Sequence, residues 1–195
     1  MSFLAYTVGL CALATVAASC FADQPSPRPE TNVPISNTES TVHDFDFFVG
    51  RWTVHHRRLK ERLAGSTQWE EFGGTSVMQK LMDGQGNVDD NVIDLPSGRY
   101  RAVSLRAFDP KTRLWAIWWV DGRNPHNDPG PPLVGSFSRG IGTFYADDTF
   151  NGKPIRVRYL WSDISANSCR WQQAFSVDSG KTWETNWIMD MTRVP

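Results

Sequence analysis

The chain has 195 residues, one domain's worth or one domain with tails. Its 20 Lys+Arg against 21 Asp+Glu leave a formal charge of -1, which gives no electrostatic ground for a nucleic-acid or acidic-membrane partner. The 40% hydrophobic content argues against wholesale disorder, and nine Trp, all after position 50, point to a barrel or sandwich with an aromatic interior or mouth.

Phe3 to Ala18 is apolar and small, and no charged residue precedes Asp23. The run is too short for a comfortable transmembrane helix and reads as the core of a secretory signal peptide over residues 1–22. The chain is therefore expected to be exported, either periplasmic or secreted. Two processing routes stay open. One cleaves after Ala22. The other is of lipoprotein type, with Ala17-Ala18-Ser19 ahead of Cys20, and would attach the protein to a membrane through a lipid on Cys20. Residues 23–42, rich in Pro, Ser, Thr and Asn, read as a flexible linker. Cys11 and Cys20 fall in the targeting segment. Cys169 is then alone, expected to be buried, and no intramolecular disulfide is expected.

Residues 43–195 form the expected folded domain. His43 to Val49 is a short helical lead-in. Strands are expected at Trp52–Leu59, Thr67–Leu81, Asn87–Asp94, Tyr100–Phe108 and Leu114–Asp121. Further strands are expected at Leu133–Phe137, Ile141–Phe150, Ile155–Ile164, Ser168–Val177 and Trp183–Arg193. Turn chemistry separates them: Asp109-Pro110-Lys111-Thr112 sets Pro at the second position of a turn, and Asn151-Gly152 tolerates positive φ. The Pro-rich connection from Gly122 to Pro132 is either a mouth element or a spacer. Short hairpins joining consecutive strands make an up-and-down sheet, and closure removes its edges. The expected fold class is all-β, an antiparallel barrel of about nine or ten strands.

Ser176 to Trp183 matches the S-x-D-x-G-x-T-W pattern of the Asp-box hairpins that repeat in sialidase propellers. One copy cannot build a propeller, so the motif is read as a structural hairpin. Gly50-Arg51-Trp52 after a helical lead-in resembles the lipocalin and calycin signature, in which the Trp plugs the closed end. The stretches 43–54 (HDFDFFVGRWTV), 86–92 (GNVDDNV), 106–115 (RAFDPKTRLW) and 183–190 (WETNWIMD) resemble a bacterial lipocalin-like domain family of unknown function. The resemblance spans about residues 43–194 and implies a calycin-type barrel. It implies no catalytic residue and no ligand.

With Trp52 inward, alternation places Val54, His56 and Arg58 on the same face and turns His55 and Arg57 outward. Between the adjacent Trp118 and Trp119, periodicity does not choose, because both faces of that strand are apolar. Tyr159, Trp161, Trp171, Phe175, Trp187 and Met189 form the expected inward set of the last three strands, with Glu184 and Asn186 opposed. The candidate ligand-binding residues are His56, Arg58, Trp118, Trp119, Tyr159, Trp161, Trp171 and Trp187.

His55 and His56 point to opposite faces, no Cys-x-x-Cys or His-x-Glu-x-x-His spacing occurs, and no metal is expected. Asn87 to Asn91 lacks the Gly and terminal Glu of a calcium loop. No nucleophile elbow, Walker loop or dinucleotide fingerprint appears, so no cofactor is expected. The expected function is an exported barrel that binds a small, mainly apolar or aromatic molecule in a Trp-lined cavity. The alternative is a cyclase or isomerase on the same barrel, with His56 or Asp121 giving acid–base help.

Overall fold

Strict alternation separates the two faces of the first strand. Trp52, Val54 and His56 are buried, while Thr53 and His55 are exposed. The computed structural model describes residues 39–195. The expected signal peptide and the linker up to residue 38 lie outside the described residues.

Ten strands follow one another: β1 (Gly50–Leu59), β2 (Trp69–Leu81), β3 (Gly86–Leu95), β4 (Gly98–Asp109), β5 (Leu114–Asp121), β6 (Leu133–Ser138), β7 (Ile141–Phe150), β8 (Lys153–Ser162), β9 (Ser168–Ser176) and β10 (Glu184–Arg193). Each pairs antiparallel with its sequence neighbour, and β1 also pairs with β10 from Trp52↔Arg193 to Arg58↔Trp187. The sheet is a closed up-and-down antiparallel barrel, as the short turns lead one to expect. Asn151 and Gly152 carry φ of 51° and 74°, the pair of left-handed residues that a two-residue hairpin requires.

Two details depart from the sequence expectation. Residues 39–42, assigned to the linker, are part of the fold. The hydroxyl of Ser40 accepts from Phe137 N at 3.3 Å, and Thr41 O accepts from the Trp115 indole at 3.2 Å. A polar segment can dock when its polar groups find partners, and composition alone does not report that. In β10, the pairing with β9 shifts between Thr185 and Trp187. That bulge turns Asn186 inward, where it is fully buried and accepts from the Gln173 amide at 2.8 Å.

One end of the barrel is plugged by the chain that enters it. Asp46–Phe48 forms a 3₁₀ turn, and Trp52 donates its indole N–H to Phe48 O at 2.8 Å. Phe45 meets the edges of Trp115 and Phe137 at 5.0 Å and of Trp161 at 5.7 Å. The Arg193 guanidinium covers Trp52 at 4.3 Å and reaches Val49 O at 2.6 Å. Burying each large aromatic stabilises by about 1.5–3 kcal/mol, so this plug carries much of the core. Cys169 is buried beside Met191, and burial pushes its thiol up to about 12.

Candidate functional site

The opposite end stays open. Beneath it lies a cavity of about 330 Å³, within the range for a small-molecule site. Every strand except β2 contributes to its lining. The aromatic wall is Trp119, Tyr159, Trp161, Trp171, Phe175 and Trp187. Tyr159 stands edge-on to Trp171 at 4.7 Å, and Trp171 edge-on to Trp187 at 6.0 Å. These are favourable quadrupole geometries and make a stiff wall. Burial raises the Tyr159 phenol well above its ordinary value, so it remains a hydrogen-bond donor at neutral pH.

Facing it is a polar wall built by β3 and β4. Asp89, Asn91, Ser104 and Arg106 line the cavity. Arg106 is only 3% exposed. It pairs with Asp89 and donates to Asn87 at 3.0 Å, and Asn91 donates to Asp89 at 2.6 Å. The guanidinium also faces Phe45 at 4.9 Å and Trp161 at 5.5 Å. The ion pair therefore sits between the plug and the cavity, fixed from both sides. Sequence reasoning missed it. The signal was present: Asn87, Asp89 and Asn91 share one face with the apolar Ile93 and Leu95, and polar side chains on an inward face need partners.

The mouth is ringed by Arg58, Arg62, Tyr100, Asp121 and Arg123, with Pro129, Gly130 and Pro131 from the long β5–β6 connection. That connection is thus a mouth element. Arg58 is held by Glu70 at 2.5 and 2.9 Å and lies 5.5 Å from the Trp187 ring. Arg123 chelates Asp121 at 2.5 and 2.9 Å and covers Tyr100 at 3.9 Å.

Of the residues expected to bind a ligand, Arg58, Trp119, Tyr159, Trp161, Trp171 and Trp187 are brought together around the cavity. Trp118 is not. Trp115, Ile117, Trp119 and Asp121 alternate inward on β5, so Trp118 falls on the outer face with Ala116. His56 is inward and 2% exposed, but it does not line the cavity. It stacks on Phe72 at 4.8 Å, and its Nδ1 accepts from the Trp187 indole at 3.2 Å. Its Nε2 lies 2.7 Å from where a Cβ on Gly74 would stand, so the glycine makes its berth. Desolvation, then the charges of His55 and Arg58, lower its pKa to about 4. His56 is neutral at pH 7 and walled off by Trp187. Asp121 lies at the mouth, but hydrogen bonds from Arg123 hold its carboxyl below the usual range. Neither side chain is placed as a free proton-transfer group facing the cavity.

No family model matches the chain, and no curated protein matches it. Among solved structures, the S-type phycobiliprotein lyase CPES from Guillardia theta is similar, with a TM-score of 0.53 at 10% sequence identity. The match covers 80% of this chain and 93% of that chain. At this identity the likeness is one of fold.

Proposed function

We propose that this protein binds a small, mainly apolar or aromatic molecule inside the barrel. One observation carries the reading: a cavity of about 330 Å³ lies inside the barrel, and six aromatic side chains form its wall. A core that only needed filling would close this space, because unfilled volume costs stability. The polar wall of Asp89, Asn91 and Arg106 supplies fixed hydrogen-bonding groups for orientation. The lipocalin-like barrel agrees with a binding role. The similar solved structure belongs to a phycobiliprotein lyase, which makes a bilin one member of the ligand class to test. The cyclase or isomerase reading has less support, because His56 does not line the cavity and is bonded at Nδ1 by Trp187, and Asp121 is held by Arg123. The apolar stretch Phe3 to Ala18 supports export, with N-terminal sequencing of the mature protein deciding between Ala22 and Cys20.

The experiment is native mass spectrometry of protein purified from its own host, followed by titration of tryptophan fluorescence with the extracted molecule and with biliverdin. Saturable quenching at one equivalent supports the reading. An empty protein that no aromatic ligand quenches refutes it.

A further inference from the structure

Four arginines line the cavity: Arg58, Arg62, Arg106 and Arg123. Three are neutralised by Glu70, Asp89 and Asp121 respectively. Arg62 alone has no carboxylate partner among the described residues. It sits in the β1–β2 connection, whose base is closed by Lys60 N donating to Gln68 O at 2.9 Å. The next residue is pinned from across the mouth, since both oxygens of Glu184 accept from Leu63 N, at 2.8 and 3.0 Å. That carboxylate is thereby committed to the loop backbone. Arg62 is held with its guanidinium carbon 4.7 Å from the Phe150 ring and 5.9 Å from Phe175. It is partly buried; burial and the nearby Arg58 disfavour its charge, while Glu184 and Glu70, neither within salt-bridge distance of it, offset this in part.

We infer that Arg62 is an anion-binding group at the mouth, and that the ligand is an aromatic acid. Its ring system lies against the Trp171 and Trp187 wall, and its carboxylate- or sulfonate-like group meets Arg62. This rests on the binding function proposed above. The physical case is that a partly desolvated guanidinium with no carboxylate in contact is costly, and an anion bound directly to it lowers that cost. The planar fork of Arg also matches a carboxylate or sulfonate in two hydrogen bonds. The pinned loop holds the fork in place before the ligand arrives, so little ordering entropy is lost on binding.

A matched pair of fluorescent probes tests it with the full chain: 1-anilinonaphthalene-8-sulfonate, and N-phenyl-1-naphthylamine, which lacks the sulfonate. The sulfonate is expected to bind about tenfold tighter, a margin that one charge-assisted contact supplies. Arg62→Gln should collapse the ratio of the two affinities towards one, and Arg62→Lys should restore part of it. Added salt should weaken the sulfonate and leave the amine nearly unaffected. Equal affinities in the unsubstituted protein, or a ratio that survives Arg62→Gln, overturn the assignment while leaving a binding barrel in place. If neither probe binds, the cavity reading itself falls and this inference with it.

Discussion

The indole N–H of Trp187 donates to Nδ1 of His56 at 3.2 Å, and that single bond sets what each residue is for. With Nδ1 accepting, the neutral ring carries its proton on Nε2, the nitrogen turned towards Gly74. The histidine then acts as a support that orients one wall of the cavity.

This support is sensitive to acid. The pKa of His56 is lowered from 6.5 to about 4 in the folded chain. The unfolded chain takes the proton first, so stability is fully present above pH 6.5 and is lost as pH falls towards 4. The effect of this group is about 3 kcal/mol between those limits. Asp94 opposes the shift, and His55 and Arg58 reinforce it. Urea unfolding at pH 7 and pH 4.5 should show the loss, and His56→Phe should abolish most of the difference. An unchanged difference in that variant would remove His56 as its source.

Gly74 is the second half of the berth. A Cβ there would lie 2.5 Å from Val92 O and 2.7 Å from His56 Nε2. Gly74→Ala is expected to displace the imidazole and cost about 1–3 kcal/mol. The emission of Trp187 should shift with it. Wild-type stability and spectrum in this variant would show that the ring has room to spare.

The buried pair should show a sharp asymmetry between one substitution and two. Asp89→Ala leaves Arg106 charged and unpaired in the barrel, at a cost of about 3–5 kcal/mol. Asp89→Leu combined with Arg106→Met removes both charges and should recover most of that loss. Denaturant midpoints of the single and double variants decide it, and a double variant as unstable as the single one contradicts the reading.

The two adjacent tryptophans on β5 should separate cleanly. Trp119 faces the cavity and Trp118 the outside. Trp119→Ala should weaken a bound aromatic ligand by about tenfold, the loss of one stacking contact. Trp118→Ala should change affinity by less than about twofold, since no contact is removed. Equal losses in calorimetric titrations would mean that the wall is not where β5 places it.

Much of the fold is legible in the residues themselves. All ten strands lie where alternation and turn residues put them, with ends moved by a few residues. Asn151-Gly152 and the Gly50-Arg51-Trp52 entry are local signals, and local signals survive in a sequence. The site is legible in part. Tyr159, Trp161, Trp171 and Trp187 follow from period two. Asn186 does not, because a bulge shifts the register and nothing in the neighbouring residues announces it.

Sequence by itself determined the class of the protein: a nearly neutral chain whose folded part is an aromatic-rich closed sheet. It did not apportion the nine Trp. Only the tertiary structure divided them between the plug at Trp52 and Trp115, the exposed start of β2 at Trp69, the outer face at Trp118 and Trp183, and the cavity wall. Nor did it show that Nδ1 of His56 is held by Trp187, or that Arg62 has no salt-bridge partner among the described residues. Periodicity says which way a side chain points within its own strand. Whether it meets a partner or an empty space depends on side chains that closure brings from distant strands, and that information is not local.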